Sequence, residues 1–242
     1  FNNAIAKSND YDAELLPLLA AGKSPIEVFE ALAIKDIQAA CDLFAELYAS
    51  TSGGDGYVSL EVNPELAHDT ERTVAEAKKL WTLVNRPNLM VKIPATLAGI
   101  PAVEQAIAAG INVNVTLIFS QARYQMVMEA YISGLEQRIE AGLPVDKISS
   151  VASFFVSRMD SKVDKMLEDI GSDQAKALMG KAAIANAKLA YQQYMTAFGG
   201  PRFEKIVAAG GNVQRPLWAS TSTKNPTYPD TLYVDTLIGA DT

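Results

Sequence analysis

A lysine stands in the middle of a strand-like run, Leu89-Met90-Val91-Lys92-Ile93-Pro94, with no like-charged neighbour in sequence. Burial disfavours an ammonium, and the neutral amine it favours can attack a carbonyl and form an imine. A second strand-like run, Tyr57–Val62, carries Glu61. A carboxylate beside such an amine can shuttle protons, through a water, to the carbinolamine that precedes the imine. Side chains alternate between the two faces of a strand. Ser59 therefore shares a face with Glu61, Lys92 with Met90, and Ser153 with Phe155, while Asn112, Asn114 and Thr116 line up together. The opposite faces hold Val, Ile and Leu. Desolvating polar groups without partners is expensive. The polar line must therefore be satisfied by its own members, by water or by a ligand. Polar groups converging from several strands near their carboxyl ends are the arrangement of a barrel active site.

Blander readings stand beside this one. A lone strand lysine is more often snorkelling or ion-paired, and a polar face can belong to the solvated side of an open sheet. Other chemistries are excluded more firmly. His68 is the only histidine, so neither a histidine metal cluster nor a serine–histidine triad can be built. Gly53-Gly54-Asp55-Gly56 reads as a turn rather than a phosphate loop, and no G-x-G-x-x-G fingerprint occurs, which argues against a nicotinamide cofactor. Cys41, the one cysteine, precludes an intrachain disulfide and reads as a small core residue in a helical stretch.

The elements that must position these residues follow from periodicity. Ser24-Pro25-Ile26-Glu27 is a capping box with proline at the first helical position, opening a helix to about Tyr48. Thr51–Gly56 is a turn cluster. Strands are predicted at Tyr57–Val62, Leu89–Pro94, Ile111–Leu117, Ile148–Val156 and Val213–Ser220, the last weakened by Pro216. Helices are predicted at Asp69–Val84, Pro101–Ala109, Ser120–Ala141, from near Asp160, Gln174–Phe198, Pro201–Ala209 and Asp230–Asp235. Strands alternating with helices imply a parallel sheet with crossover helices.

The chain's 242 residues are close to the roughly 250 of a single α/β barrel. No linker, repeat or low-complexity tract divides it, so one domain over 1–242 is expected. The balance of 49% hydrophobic and 20% charged residues is that of a globular protein. A net charge of −7 opposes binding to nucleic acid or an anionic membrane, while leaving room for a local cationic pocket. No apolar run approaches the ~18 residues of a membrane span.

Four segments carry a resemblance to a known family. They are Val58-Ser59-Leu60-Glu61-Val62, Val91-Lys92-Ile93-Pro94-Ala95-Thr96, the stretch from Gly110 to Ser120 with its Asn112-x-Asn114-x-Thr116-Leu117-x-Phe119-Ser120 pattern, and Ala152-Ser153-Phe154-Phe155-Val156-Ser157-Arg158. In order and spacing they resemble the transaldolase family. Trp218–Asn225 and Asp235–Gly239 look like later segments of its longer bacterial branch. The resemblance implies a (β/α)8 TIM barrel of the class I aldolase type. It implies transfer of a dihydroxyacetone unit between sugar phosphates in the non-oxidative pentose phosphate route, without a cofactor, in the cytoplasm. Small sugar phosphates are then the expected partners, and a homodimer is left open.

The resemblance also implies residue roles. Lys92 matches the Schiff-base lysine, and Glu61 the acid/base glutamate that handles a water together with Thr116. Asn114 matches a binder of substrate hydroxyls, Ser153 a substrate-contacting serine, and Phe155 an aromatic beside the site. Arg158 matches the arginine that grips the sugar phosphate, a role suited to a guanidinium fork. Lys224 lies where shorter members carry a second phosphate arginine; an exposed loop lysine is its alternative. The family's first-strand aspartate and second-strand asparagine have no match, and Phe1-Asn2-Asn3 looks like text just after that second strand. Strands one, two and eight of the barrel are thus expected outside this sequence, leaving the barrel incomplete at both ends. The segment alone is expected to fold poorly and to be inactive.

Overall fold

A computed structural model describes residue 5 and residues 7–239. The expectation resting on Phe1-Asn2-Asn3 lies outside the described residues. The described chain forms two compact units, one from residues up to Leu60 with Lys79–Leu89, the other from Glu61–Lys78 with Met90 onward.

The first unit contains helices α1 (Asp12–Ala20), α2 (Pro25–Leu43) and α3 (Ala45–Ser50). The capping box is present: Ser24 Oγ accepts the Glu27 N–H, and the Glu27 carboxylate accepts the Ser24 N–H. The single helix expected to run to Tyr48 is interrupted at Phe44, whose backbone leaves the helical region (φ −95°, ψ 3°). Gly56 explains what the break accommodates. At φ +80°, its missing Cβ would lie 2.7 Å from the Tyr48 nitrogen and 2.9 Å from the Phe44 carbonyl oxygen, so only glycine can pass there. Cys41 is fully buried, as its apolar setting suggested. Asn88 donates to the carbonyls of both Cys41 and Gly56, tying the chain before the second strand to this turn.

Among the described residues, five strands make one sheet in chain order: β1 (Val58–Glu61), β2 (Leu89–Pro94), β3 (Val113–Ile118), β4 (Ser150–Phe155) and β5 (Gln214–Ala219). Pairing from β2 through β5 is parallel, and the Val62 N–H donates to the Lys92 carbonyl. The fold is thus α/β with a parallel sheet. Sequential neighbours side by side are also what a barrel wall requires. Pro216 is accommodated because β5 ends the described sheet order, where a missing N–H is tolerated.

The crossover helices of the second unit are α5 (Gly99–Ala108), α6 (Gln121–Glu140), α7 (Ser157–Ile170), α8 (Asp173–Leu178), α9 (Ala182–Phe198) and α10 (Pro201–Ala208), and α11 (Leu232–Leu237) follows β5. Helix α4 (Thr70–Val84) links β1 to β2 in sequence. One sheet face carries Val91, Ile93, Val113, Val115, Ala152 and Phe154, all buried. Two polar residues on that face, Gln214 and Ser150, are buried there. Gln214 donates to Ser150 Oγ at 2.9 Å, and Ser150 donates to the Val113 carbonyl at 2.6 Å. Arg138 of α6 donates to the Ala108 carbonyl at the end of α5 and to the Pro144 carbonyl, satisfying acceptors that helix termini leave open.

Helices α5 and α6 meet at Gly134. A Cβ there would lie 2.7 Å from the Glu104 carbonyl oxygen and 2.8 Å from Ile107 Cβ. Gly134→Ala is expected to lower the thermal unfolding midpoint, at a cost of about 1–3 kcal/mol for overpacking. An unchanged midpoint would show that the pair has slack the distances deny.

Candidate active site

Parallel pairing places register partners on the same face of the sheet. Lys92 pairs with Asn114, Pro94 with Thr116, and Asn114 with Val151. One face of the second unit therefore presents Lys92, Asn114, Thr116, Ser153 and Phe155 together, as the sequence predicts. Lys92 Nζ lies 3.6 Å from Glu61 Oε2. The Lys92 side chain is 29% exposed and that of Glu61 47%. The amine is thus half-buried on its strand but still open to a ligand, less enclosed than a residue flanked by Val91 and Ile93 suggests.

Beyond Lys92 the face is closed and polar. Asn114, Thr116 and Ser153 are all buried. Ser153 Oγ donates to Asn114 Oδ1 at 2.8 Å, which orients the amide next to the lysine's register position. The Thr116 hydroxyl is buried with no hydrogen-bond partner. A buried hydroxyl normally finds one. Thr116 also borders an irregularity, since the β3–β4 register shifts between Val115 and Ile118.

The carboxyl end of β4 runs directly into α7. Arg158, in the first turn of α7, is exposed and stacks its guanidinium over the Phe155 ring, 4.9 Å from the centroid. Phe119 packs on the other contact of Phe155, with ring centroids 5.2 Å apart. A cation at a helix amino end opposes the helix dipole. A bound anion at this point would be favoured by both the guanidinium and the helix end. Lys224 is exposed in the loop after β5 and donates to Ser222 Oγ at 2.7 Å. It lines a cleft of about 490 Å³ shared with Ser157, the residue before Arg158, and with Ser161, Lys165 and Tyr228.

Several supports of this region escape a residue-type reading. Asp160 and Asp164, four residues apart on α7, are both buried. Asp160 accepts from the Ala183 N–H and the Tyr233 hydroxyl, and burial pushes its carboxyl above the usual carboxylate range. Asp164 accepts from the Gly180 N–H and the Tyr228 hydroxyl. Ser157 and Ser220 share a hydroxyl contact at 3.0 Å. Together these bonds fasten the segment carrying Lys224 to the helix that carries Arg158. The available signal was the spacing of the two aspartates, which puts them on one helix face; their tyrosine partners lie more than sixty residues away. Among the described residues no group of three His, Cys, Asp or Glu could hold a metal, and no helix is long and apolar enough to cross a membrane.

Over residues 1–242 the chain matches the family described as transaldolase/fructose-6-phosphate aldolase. It is 53% identical over its whole length to a transaldolase of Mycolicibacterium smegmatis, and spans 65% of that protein. It is 54% identical to a transaldolase of Frankia alni, again spanning 65% of it. A protein named transaldolase 1 from Streptomyces avermitilis is 52% identical, with 64% of its length covered. The chain thus spans just under two thirds of the length of these curated relatives, and it belongs to the transaldolase/fructose-6-phosphate aldolase family.

Proposed function

We propose that the full-length protein is a transaldolase that carries a dihydroxyacetone unit on Lys92. The observation supporting this most directly is the open Lys92 amine 3.6 Å from the Glu61 carboxylate, on a face shared with Asn114, Thr116 and Ser153. In this reading the amine adds to the ketose carbonyl, and the carbinolamine loses water to give the imine. Glu61 and the Thr116 hydroxyl hold the water that relays the protons of that step. The bond between the third and fourth carbons then breaks. The fourth-carbon hydroxyl gives its proton to a base outside this segment, the role the resemblance gives to the family's first-strand aspartate, and becomes the aldehyde of the departing aldose phosphate. The electron pair of the broken bond passes into the imine, leaving an enamine on Lys92. The third carbon of this enamine attacks an acceptor aldehyde, and hydrolysis frees the new ketose. Asn114, oriented by Ser153, binds substrate hydroxyls, and Phe155 walls the site. Arg158 and Lys224 hold the phosphate.

Sedoheptulose 7-phosphate and fructose 6-phosphate are the proposed donors; glyceraldehyde 3-phosphate and erythrose 4-phosphate are the acceptors. No cofactor enters the reaction. The proposed setting is a single barrel domain in the cytoplasm, acting on small sugar phosphates rather than nucleic acid or membranes.

Two measurements on the full-length protein test this reading. Borohydride added with fructose 6-phosphate should fix covalent mass on the peptide containing Lys92, and Lys92→Ala should abolish it. Absence of that mass would leave only a phosphosugar-binding barrel. Release of free dihydroxyacetone at full rate without an acceptor would instead make the enzyme a lyase. Arg158→Ala should raise KM for the phosphorylated donor about 10–100-fold, as expected for losing a charge-assisted hydrogen bond of about 1.5–3 kcal/mol. Trapping at Lys92 with saturating donor should persist in that variant. An unchanged KM would remove Arg158 from the phosphate site.

A further inference from the structure

Leu117 adopts the left-handed backbone region, with φ +61°. For a residue with a bulky side chain this is a genuine outlier, and such outliers gather at functional sites. No core packing demands it, since Leu117 is 41% exposed. Its consequence lies in the register. Asn114 pairs with Val151 and Val115 with Ala152, but Ile118 pairs with Phe154. Three steps along β3 thus match two along β4, so Thr116 and Leu117 together stand opposite Ser153. This is a β-bulge, which inserts one residue and re-aims side chains. The other side of β3 is undisturbed: Thr116 stays in register with Pro94, and its carbonyl accepts the Ala95 N–H at 2.8 Å.

An unbulged β3 would pair Thr116 with Ser153 on the same face, bringing the two hydroxyls side by side. In the structure they do not bond. Ser153 Oγ is committed to Asn114, and Thr116 Oγ1 is buried and unpartnered. We infer that the left-handed turn at Leu117 is a positioning device: it slips β3 past β4 so that the Thr116 hydroxyl is kept from Ser153 and left available for the catalytic water. The inference rests on the proposed imine chemistry at Lys92 and adds the residue that orients one of its polar groups. Leu117 acts through its backbone, and its side chain is dispensable.

The test is a double-mutant cycle in the full-length enzyme. Leu117→Gly and Leu117→Asn, residues that accept positive φ readily, should keep kcat within about threefold. Leu117→Val, whose β-branch opposes positive φ, should lower kcat about 10–100-fold with little change in KM, the scale of a small misplacement at a reacting centre. In a Thr116→Ala background the same Leu117→Val change should cost less than about twofold in kcat, because the group it displaces is already gone. Leu117→Ala, a milder demand of the same sign, replaces Leu117→Val if the latter does not fold. Full activity of the Val or Ala variant would overturn the inference. So would equal losses in both backgrounds, or a loss in Leu117→Gly as large as in Leu117→Val. Failure of borohydride trapping in the unmutated enzyme would strike the imine reading itself, and mass analysis shows this separately from the cycle.

Discussion

A cation rising from the middle of a parallel strand must find a counter-charge or water, and most of this site answers that requirement. Lys92 stands between Val91 and Ile93, both fully buried, so its backbone belongs to the core while its side chain reaches the edge of it. Glu61, at the end of β1, supplies the opposite charge at 3.6 Å. Neither side chain is sealed, so the pair is not a buried bridge and the amine is open to solvent. The neighbouring strands then fill the same face with an amide and two hydroxyls rather than hydrocarbon. Each is buried, and only the Thr116 hydroxyl lacks a partner. Ser153 holds the Asn114 amide in place, while the Thr116 hydroxyl is uncommitted.

Much of this was legible in the sequence because strands have a strict two-residue period. Alternation alone places Asn114 and Thr116 together, and Ser153 with Phe155. The capping box at Ser24 fixed the start of α2, and the parallel α/β class followed from the order of the elements. Departures occurred where a contact distant in sequence overrides local preference. The helix expected to run to Tyr48 breaks at Phe44, against which Gly56 packs so closely that a Cβ on it would lie 2.9 Å from the Phe44 carbonyl oxygen. The strand expected over Ile111–Leu117 begins later, at Val113, and runs to Ile118. No period-two reading can anticipate a bulge, because Leu117 keeps an ordinary strand-forming type while its backbone turns left-handed.

The Arg158 end of the site, where we propose that phosphate binds, was less legible. Arg158 could be placed by type and by its position after β4, and its stacking on Phe155 gives that placement a physical anchor. What holds the following loop could not be read. Asp160 and Asp164 look like ordinary charges of an amphipathic helix, yet they face inward and receive the hydroxyls of Tyr233 and Tyr228. Carboxylates four residues apart usually mark a solvated helix face, so only tertiary structure reveals this pair as buried. These bonds tie the loop of Lys224 to α7. A lysine in an otherwise exposed segment is thereby kept near the helix end where an anion is favoured.

The central claim is that Lys92, Glu61, Asn114 and Thr116 act on one carbonyl. A crystal structure of the full-length protein with fructose 6-phosphate, flash-cooled during turnover, tests it most directly. The account predicts continuous density from Lys92 Nζ to the second carbon of the sugar. A water should lie within hydrogen-bond reach, about 2.6–3.2 Å, of both Glu61 and the Thr116 hydroxyl. Sugar density elsewhere, or Lys92 still paired with Glu61 and unbonded at full occupancy of ligand, would contradict it.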